Sequence, residues 1–300
     1  MKKSGLIPLL MASLVLIVSP NVFAKENDLS QQDLTKQRIF HDRQLFIKAI
    51  EEYEKKTKTF STSSYEQDLE RIKSLQKEAA HYRAKTGNYE DYANYILSHT
   101  DDVIVLMEHD EASLKARSVR DDIKITKPDV FYYKSSGRTS VNGYYKWITE
   151  NYFDDRDSVG SVGGEDAVSL NFDNIDSRAK SGILSWALYT FNKNGDNSYV
   201  SYNPEATESN GSAWSVVFQG QDRIEKNSDK QLDYSWQNGN IEVIFDKNFY
   251  YLSGSVNTTY AHTWDSTDIT GFTVDKDGGI SFTFSKVSNK FQVNGKYASY

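Results

Sequence analysis

Apolar residues recur at helical spacing in the first part of the chain. The first stripe advances by steps of seven, four and three residues and comprises Ile39, Phe46, Ile50 and Tyr53. A second stripe covers 65–82, and Gly87 follows it at a position where a left-handed residue commonly ends a helix. A further stretch covers 103–120, although its apolar run 103–107 also fits a strand. The pattern predicts a unit of three or four antiparallel helices at 25–125.

The second part of the chain alternates between apolar and polar residues. About a dozen short runs rich in β-branched and aromatic residues are separated by turn signals, among them Asn142-Gly143, Asn194-Gly195, Asn238-Gly239 and Asn294-Gly295. Since no helical stretch lies between these runs, antiparallel pairing is favoured over a parallel sheet. We therefore predict an α+β protein in which an all-β antiparallel sandwich, jelly-roll or lectin-like, occupies 126–300.

Composition supports a division near Thr126. Residues 25–125 hold 37 charged residues in 101 positions and a single glycine, whereas all five tryptophans lie in 126–300. High charge with little glycine is typical of helices, and many aromatic residues with glycine punctuation are typical of strands. The two parts are therefore predicted to be separate domains joined near 121–129.

The N-terminus has the layout of a secretory signal. Lys2 and Lys3 precede the apolar stretch 6–18, and Ala24 suits signal-peptidase cleavage. The stretch is shorter than the roughly 20 apolar residues of a spanning helix, so cleavage is favoured over an uncleaved anchor. Removal of 1–24 takes the formal net charge from −7 to −9, because both lysines are lost. The sequence predicts a bacterial exoprotein that is secreted and extracellular.

Charge and motif content disfavour several classes of function. A net charge of −7 argues against nucleic acids, which are bound through clustered lysine and arginine. The absence of cysteine rules out disulfides, a thiol nucleophile and cysteine-ligated zinc. The chain also lacks the serine-hydrolase elbow, the zinc-protease motif and the glycine-rich phosphate-binding loops. We expect no resident cofactor, with calcium as the one ion to consider.

One acidic stretch offers oxygen ligands for a cation. Asp155, Asp157 and Glu165 flank the glycine-bearing residues 160–164, and calcium binds several carboxylate and carbonyl oxygens in such loops. The spacing differs from that of the helix–loop–helix calcium site. Acidic, glycine-rich stretches are also common in ordinary surface loops. Calcium as an ordering ion is therefore a hypothesis beside that simpler interpretation.

The tryptophans supply the candidate ligand contacts. Trp236 precedes an Asn-Gly turn, Trp264 precedes a run of polar residues, and Trp214 is a third candidate. An exposed indole can stack on the apolar face of a sugar ring while neighbouring polar groups bind its hydroxyls. Most aromatic residues of a β-sandwich pack the core, so the alternative is that these indoles do only that.

Three functions stay open for such a protein. The favoured one is a non-catalytic binding protein whose sandwich recognises a neutral glycan or a protein surface. The second is a glycan-acting hydrolase, which needs two carboxyls about 5–10 Å apart, although no strand carries an obvious pair. The third is a pore-forming toxin, because the Ser/Thr-rich segment 255–262 has the composition of a barrel-forming hairpin. We expect neither enzymatic activity nor membrane insertion.

Overall fold

The computed structural model describes residues 38–57, 65–107, 122–148, 164–196, 199–221, 223–226, 231–234, 236–264 and 267–300. These ranges contain the helices α1 (Arg43–Lys56), α2 (Tyr65–Thr86), α3 (Asp91–His99) and α4 (Ser177–Ser181), and a 3₁₀ turn at Phe249–Tyr251. Asp42 begins α1 because its carboxylate accepts hydrogen bonds from the backbone N–H groups of Gln44 and Leu45. Ile39, which the apolar pattern assigned to this helix, lies in a strand instead.

The same ranges contain eighteen β-strands. The first nine are β1 (Arg38–Phe40), β2 (Val103–Leu106), β3 (Ile123–Ile125), β4 (Asp129–Tyr133), β5 (Arg138–Trp147), β6 (Asp166–Phe172), β7 (Ile183–Phe191), β8 (Tyr199–Ser201) and β9 (Ala206–Asn210). The others are β10 (Ala213–Gly220), β11 (Arg223–Lys226), β12 (Gln231–Tyr234), β13 (Asn238–Phe245), β14 (Ser255–Thr263), β15 (Ile269–Val274), β16 (Ile280–Phe284), β17 (Lys290–Asn294) and β18 (Ala298–Ser299).

The strands form two large sheets and two hairpins. The eight-stranded sheet has the order β1-β2-β4-β5-β13-β7-β8, and β3 also pairs with β5. The six-stranded sheet has the order β17-β14-β6-β10-β9, and β18 also pairs with β14. β11 pairs with β12, and β15 pairs with β16. Only β1 and β2 are parallel among the described pairs, so the prediction of helices combined with antiparallel sheets is confirmed.

One apolar core lies between the two large sheets. The eight-stranded sheet contributes Val141, Tyr145, Leu188, Ile241 and Val243, among others, and the six-stranded sheet contributes Val168, Leu170, Phe172, Val216 and Tyr260. Helix α1 and the 3₁₀ turn add Phe46, Ile50 and Phe249. Two sheets thus pack face to face on a shared interior, while the jelly-roll or lectin-like type stays a prediction.

Helices α2 and α3 pack on the other face of the eight-stranded sheet. A second apolar cluster joins Ile72 of α2 and Ile96 of α3 to Val105, Phe131 and Tyr189 of the sheet. The eight-stranded sheet is therefore the middle layer, with helices on one face and the six-stranded sheet on the other.

The predicted boundary between a helical domain at 25–125 and a sandwich domain at 126–300 differs from this arrangement. β1, β2 and β3 come from the first part of the chain but lie in the eight-stranded sheet. The apolar run at 103–107 contains β2, whose residues are all buried. A strand that is covered on both faces has an unbroken apolar run, which periodicity does not distinguish from a buried helix. The helices are one layer of a fold that they share with the sheets.

The segment 255–262, whose composition suggested a pore-forming hairpin, lies within β14. This strand pairs with β6 on one side and with β17 and β18 on the other, so it is an inner strand. The β15–β16 hairpin covers part of the outer face of the same sheet through Val274, Ile280 and Phe282. Among the described residues, no helix has both the length and the hydropathy needed to cross a membrane.

Candidate functional site

A buried carboxylate, Asp166, organises a group of polar and aromatic side chains where β6 begins and β14 ends. Its Oδ1 accepts a hydrogen bond from the backbone N–H of Thr263 at 3.0 Å. Both carboxylate oxygens lie 2.9 Å from Nδ1 of His262. The Tyr260 hydroxyl donates to Oδ2. Because an ionised carboxylate only accepts hydrogen bonds, we assign the ring proton of His262 to Nδ1.

Aromatic rings enclose His262. Trp147 meets the imidazole edge-on at a centroid distance of 5.0 Å, and Phe291 lies at 5.2 Å. Trp264 stacks on the imidazole at 5.5 Å with an interplanar angle of 28°. His262 is 2% exposed and Asp166 is buried, whereas Trp264 and Phe291 are half-buried. Trp264 and Phe291 are therefore the residues that leave part of this group exposed among the described residues.

The geometry around Asp166 fits positioning better than catalysis. Both of its oxygens are occupied by donors from β14, so the carboxylate holds the ring of His262 in place. The hydroxyl of Thr263 donates to the backbone oxygen of Glu165 at 3.1 Å, whereas an activated nucleophile would donate to the imidazole base. The arrangement is a rigid support beneath a partly exposed aromatic surface.

Two of the three tryptophans predicted as ligand contacts are core residues. Trp214 is 4% exposed and packs against Phe172, and Trp236 is 2% exposed and packs against Tyr145. Trp214 faces the core because alternate residues of β10 point toward the other sheet. The prediction that Trp214 and Trp236 contact a ligand does not fit this burial, and Trp264 is the candidate that keeps an accessible surface.

The predicted calcium ligands are not brought together in the described part of the chain. Asp155 and Asp157 lie outside the described residues, and Glu165 is exposed. Within the described ranges, no group of three or more histidines and carboxylates is arranged to hold a metal ion. Calcium binding by this stretch stays a prediction.

A second polar group, which the sequence analysis missed, lies between the helices and the eight-stranded sheet. Arg83 of α2 is fully buried, and its Nη2 donates to Oδ1 of Asn142 at 2.8 Å. The guanidinium carbon lies 4.1 Å from the ring centroid of Tyr144 and 4.5 Å from that of Tyr92. Tyr92 donates to Oε2 of Glu242 at 2.9 Å. A cation, an amide, two phenols and a carboxyl thus form part of the helix–sheet contact.

Burial raises the pKa of two carboxyls in this polar group. Desolvation raises the pKa of Glu242 to about 7, against the opposing effects of Tyr92, Tyr189, Asn142 and Arg83. Asp129 accepts a hydrogen bond from the Tyr89 hydroxyl at 2.8 Å, and burial also raises its pKa to about 7. Arg83 opposes both shifts. The charge of one buried arginine therefore favours the ionised forms of two carboxyls whose pKa values burial raises.

The sequence carries a signal for this polar group. Gln76 and Arg83 are both buried on α2 and lie two helical turns apart, beside the small side chains of Ala79 and Ala80. Glu242 interrupts the otherwise apolar end of β13. A charged residue within a buried apolar run, or at helical spacing among alanines, indicates a buried partner of opposite charge.

Comparison with known proteins identifies no family. No family model and no curated protein matches the chain. The chain is similar in structure to AvmM, which catalyses macrocyclization in alchivemycin A biosynthesis, with 7% identity over 58% of this chain and 89% of that chain and a TM-score of 0.25.

Two collagen-binding domains are also similar in structure. The domain of the Erysipelothrix rhusiopathiae surface protein RspB shows 8% identity over 59% of this chain and 47% of that chain, with a TM-score of 0.23. The domain of a Staphylococcus aureus adhesin shows 9% identity over 54% and 85%, with a TM-score of 0.22. Similarities this weak carry no argument about the topology or the function of this chain.

Proposed function

We propose that this is a non-catalytic binding protein whose ligand contacts the half-buried rings of Trp264 and Phe291. The observation that supports the proposal most directly is the stack of Trp264 on His262, whose imidazole is fixed by Asp166. An aromatic ring that is held in place before binding loses little conformational freedom when a ligand stacks on it. Preorganisation of this kind is useful for recognition and requires no reaction.

The ligand that we propose is a neutral glycan. The apolar face of a sugar ring can stack on an indole, and the surrounding polar groups can bind the hydroxyls at its rim. The formal net charge of −7 disfavours an anionic polymer. A protein surface is the alternative ligand class, and the same experiment distinguishes the two.

The test is calorimetric titration of the protein with neutral hexose and N-acetylhexosamine oligomers. We expect Trp264→Ala to weaken the binding several-fold, because an aromatic stack contributes about 0.5–1.5 kcal/mol. Trp264→Phe should bind with intermediate affinity, since it keeps a smaller ring. Tyr251→Ala is the matched control, because Tyr251 is 70% exposed and is not part of the group around His262.

Thermal unfolding of each variant must accompany the titration, so that lost binding is not mistaken for lost folding. Equal affinity of the wild type and a folded Trp264→Ala variant would remove Trp264 from the contact surface. If no neutral oligomer binds at millimolar concentration, the glycan proposal is wrong and a protein ligand is the class to search.

A further inference from the structure

The two large sheets end in edge strands of different kinds. β1 and β8 each have only three residues, and β17 is half-buried over most of its length. β9 has five residues, of which 207–210 are exposed. In the part of the chain that the structure describes, β10 is the only strand that pairs with β9. β9 is therefore the longest exposed edge among these four strands.

No described strand pairs with β9 on the side opposite β10, and at its end Asn210 donates a side-chain hydrogen bond to the backbone oxygen of Val274 at 3.0 Å. A strand at the edge of a sheet directs alternate backbone N–H and C=O groups away from its single neighbour. Proline and charged side chains, lysine above all, commonly protect such edges. β9 contains neither proline nor lysine, its one charged residue is Glu208, and Pro204 lies just before it. Its side chains are short, apart from Glu208, so they leave the outward backbone groups within reach of another strand.

Charge selects which strand can pair with this edge. Glu205, just before β9, and Glu208 are both exposed. Two copies of β9 paired antiparallel about Glu208 would place two carboxylates opposite each other, which is destabilising. A strand with lysine or arginine opposite Glu205 and Glu208 would instead be favoured. Because residues 205 and 208 are an odd number of positions apart, their side chains point to opposite faces of an extended chain.

We propose that β9 binds an extended segment of a partner protein by adding it to the six-stranded sheet as an antiparallel strand. The segment carries lysine or arginine at two positions three residues apart, one opposite Glu208 and the other opposite Glu205. Backbone hydrogen bonds supply the attachment, and the two ion pairs select the sequence and its register. This proposal does not depend on a ligand at Trp264.

The probe is a fluorescently labelled peptide of alternating threonine and valine with two lysines three positions apart, titrated with the full chain. We expect saturable binding that Glu208→Lys weakens about fivefold, as the loss and reversal of one cross-strand ion pair implies. Glu66→Lys is the matched control, because Glu66 is also exposed but lies on α2. Hydrogen exchange should show new protection of backbone amides within 206–210.

A second peptide separates strand addition from simple charge attraction. It has the same sequence and charge, but alternate backbone nitrogens carry methyl groups and cannot donate hydrogen bonds. We expect this peptide not to bind. Equal binding of the methylated peptide, equal weakening by Glu66→Lys and Glu208→Lys, or no binding of the first peptide at millimolar concentration would each overturn the proposal.

Discussion

The two faces of the eight-stranded sheet are buried by different means. On β5 and β13, Val141 and Val243 pair in register and face the six-stranded sheet, where they join the apolar core. Their neighbours Asn142 and Glu242 also pair in register and face the helices, where Arg83 donates to Asn142 and Tyr92 donates to Glu242. Successive residues of a strand point to opposite faces, so the same two strands contribute apolar residues to the core between the sheets and add an ionisable residue to the apolar contact with the helices.

This difference separates two contributions to stability. Apolar burial contributes in proportion to the area removed from water and does not depend on pH. Buried charges cost desolvation free energy, and their balance changes with each proton that is bound or released. We therefore expect the stability contributed by the polar groups of the helix–sheet contact to depend on pH, and the stability contributed by the apolar residues between the two sheets not to depend on it.

Removal of Arg83 should have the largest effect. Arg83→Met leaves the buried carboxyls of Glu242 and Asp129 without the charge that favours their ionised forms, and an uncompensated buried charge costs about 3–5 kcal/mol of unfolding free energy. The loss of unfolding free energy should be larger at pH 8 than at pH 5, because the two carboxyls are protonated at pH 5 and a neutral carboxyl is not stabilised by a nearby positive charge. Urea unfolding at both pH values measures it.

Lys85→Met is the control for that variant, because Lys85 is an exposed cation at the end of the same helix. We expect Lys85→Met to change the unfolding free energy by less than about 0.5 kcal/mol. If Arg83→Met lowered the unfolding free energy equally at pH 5 and pH 8, the ionisation of Glu242 and Asp129 would not depend on Arg83.

A cavity in the inter-sheet core should cost slightly less and show no dependence on pH. Leu170 is fully buried between the sheets, and replacement of a buried leucine by alanine costs about 2–5 kcal/mol. Leu170→Ala should lose the same unfolding free energy at pH 5 and pH 8. A loss that changed with pH as strongly as that of Arg83→Met would show that the two faces are not energetically distinct.

The sequence predicted one face of the sheet better than the other. The alternation of apolar and polar residues in 126–300 predicts antiparallel strands with an aromatic interior, because one face of each such strand is buried among apolar residues. β2 was ambiguous because it is covered on both faces. The burial of Arg83 and Glu242 is not predicted, because charged residues are also common at exposed helical and strand positions, and the small or apolar neighbours of these two residues are the one local signal that they are buried.

The group around Asp166 was only partly predictable for a related reason. Trp264 was identified from its polar surroundings, but Asp166 and His262 are 96 residues apart and meet only because β6 pairs with β14. Trp236 stands in a polar stretch of the sequence as Trp264 does, yet its indole is buried. Local polarity therefore did not decide which indole is accessible.

The wild-type protein should lose stability as the pH rises from about 5 to about 8. The pKa of Glu242 is raised from 4.5 to about 7 in the folded state by burial. Its stabilising contribution is therefore fully present below the unfolded-state pKa and is lost as the pH rises through the folded-state pKa. For Glu242 alone this amounts to about 3 kcal/mol, since one pKa unit corresponds to about 1.4 kcal/mol.

Glu242→Gln isolates that contribution. The amide keeps a hydrogen-bond acceptor for Tyr92 but does not titrate, so the unfolding free energy of the variant should depend less steeply on pH in this window. Asp129 should supply the remaining slope, because its pKa is also raised to about 7. If the unfolding free energy depended equally steeply on pH in the variant and the wild type, or rose with pH in both, Glu242 would not be the source of this pH dependence.

The smallest effect should come from Asp166, a buried carboxylate that is fully supplied with hydrogen-bond donors at the end of the inter-sheet core. Asp166→Asn keeps the shape, but the amide nitrogen donates, so at least one of the donors from Tyr260, His262 and Thr263 loses its acceptor. An unsatisfied buried donor costs about 1–3 kcal/mol. Near-ultraviolet circular dichroism should also change, because the ring beneath Trp264 is no longer fixed. Asp268→Asn, an exposed carboxylate near the same strand end, should change neither quantity, and a folded Asp166→Asn variant with an unchanged aromatic spectrum would show that the stack of Trp264 does not depend on Asp166.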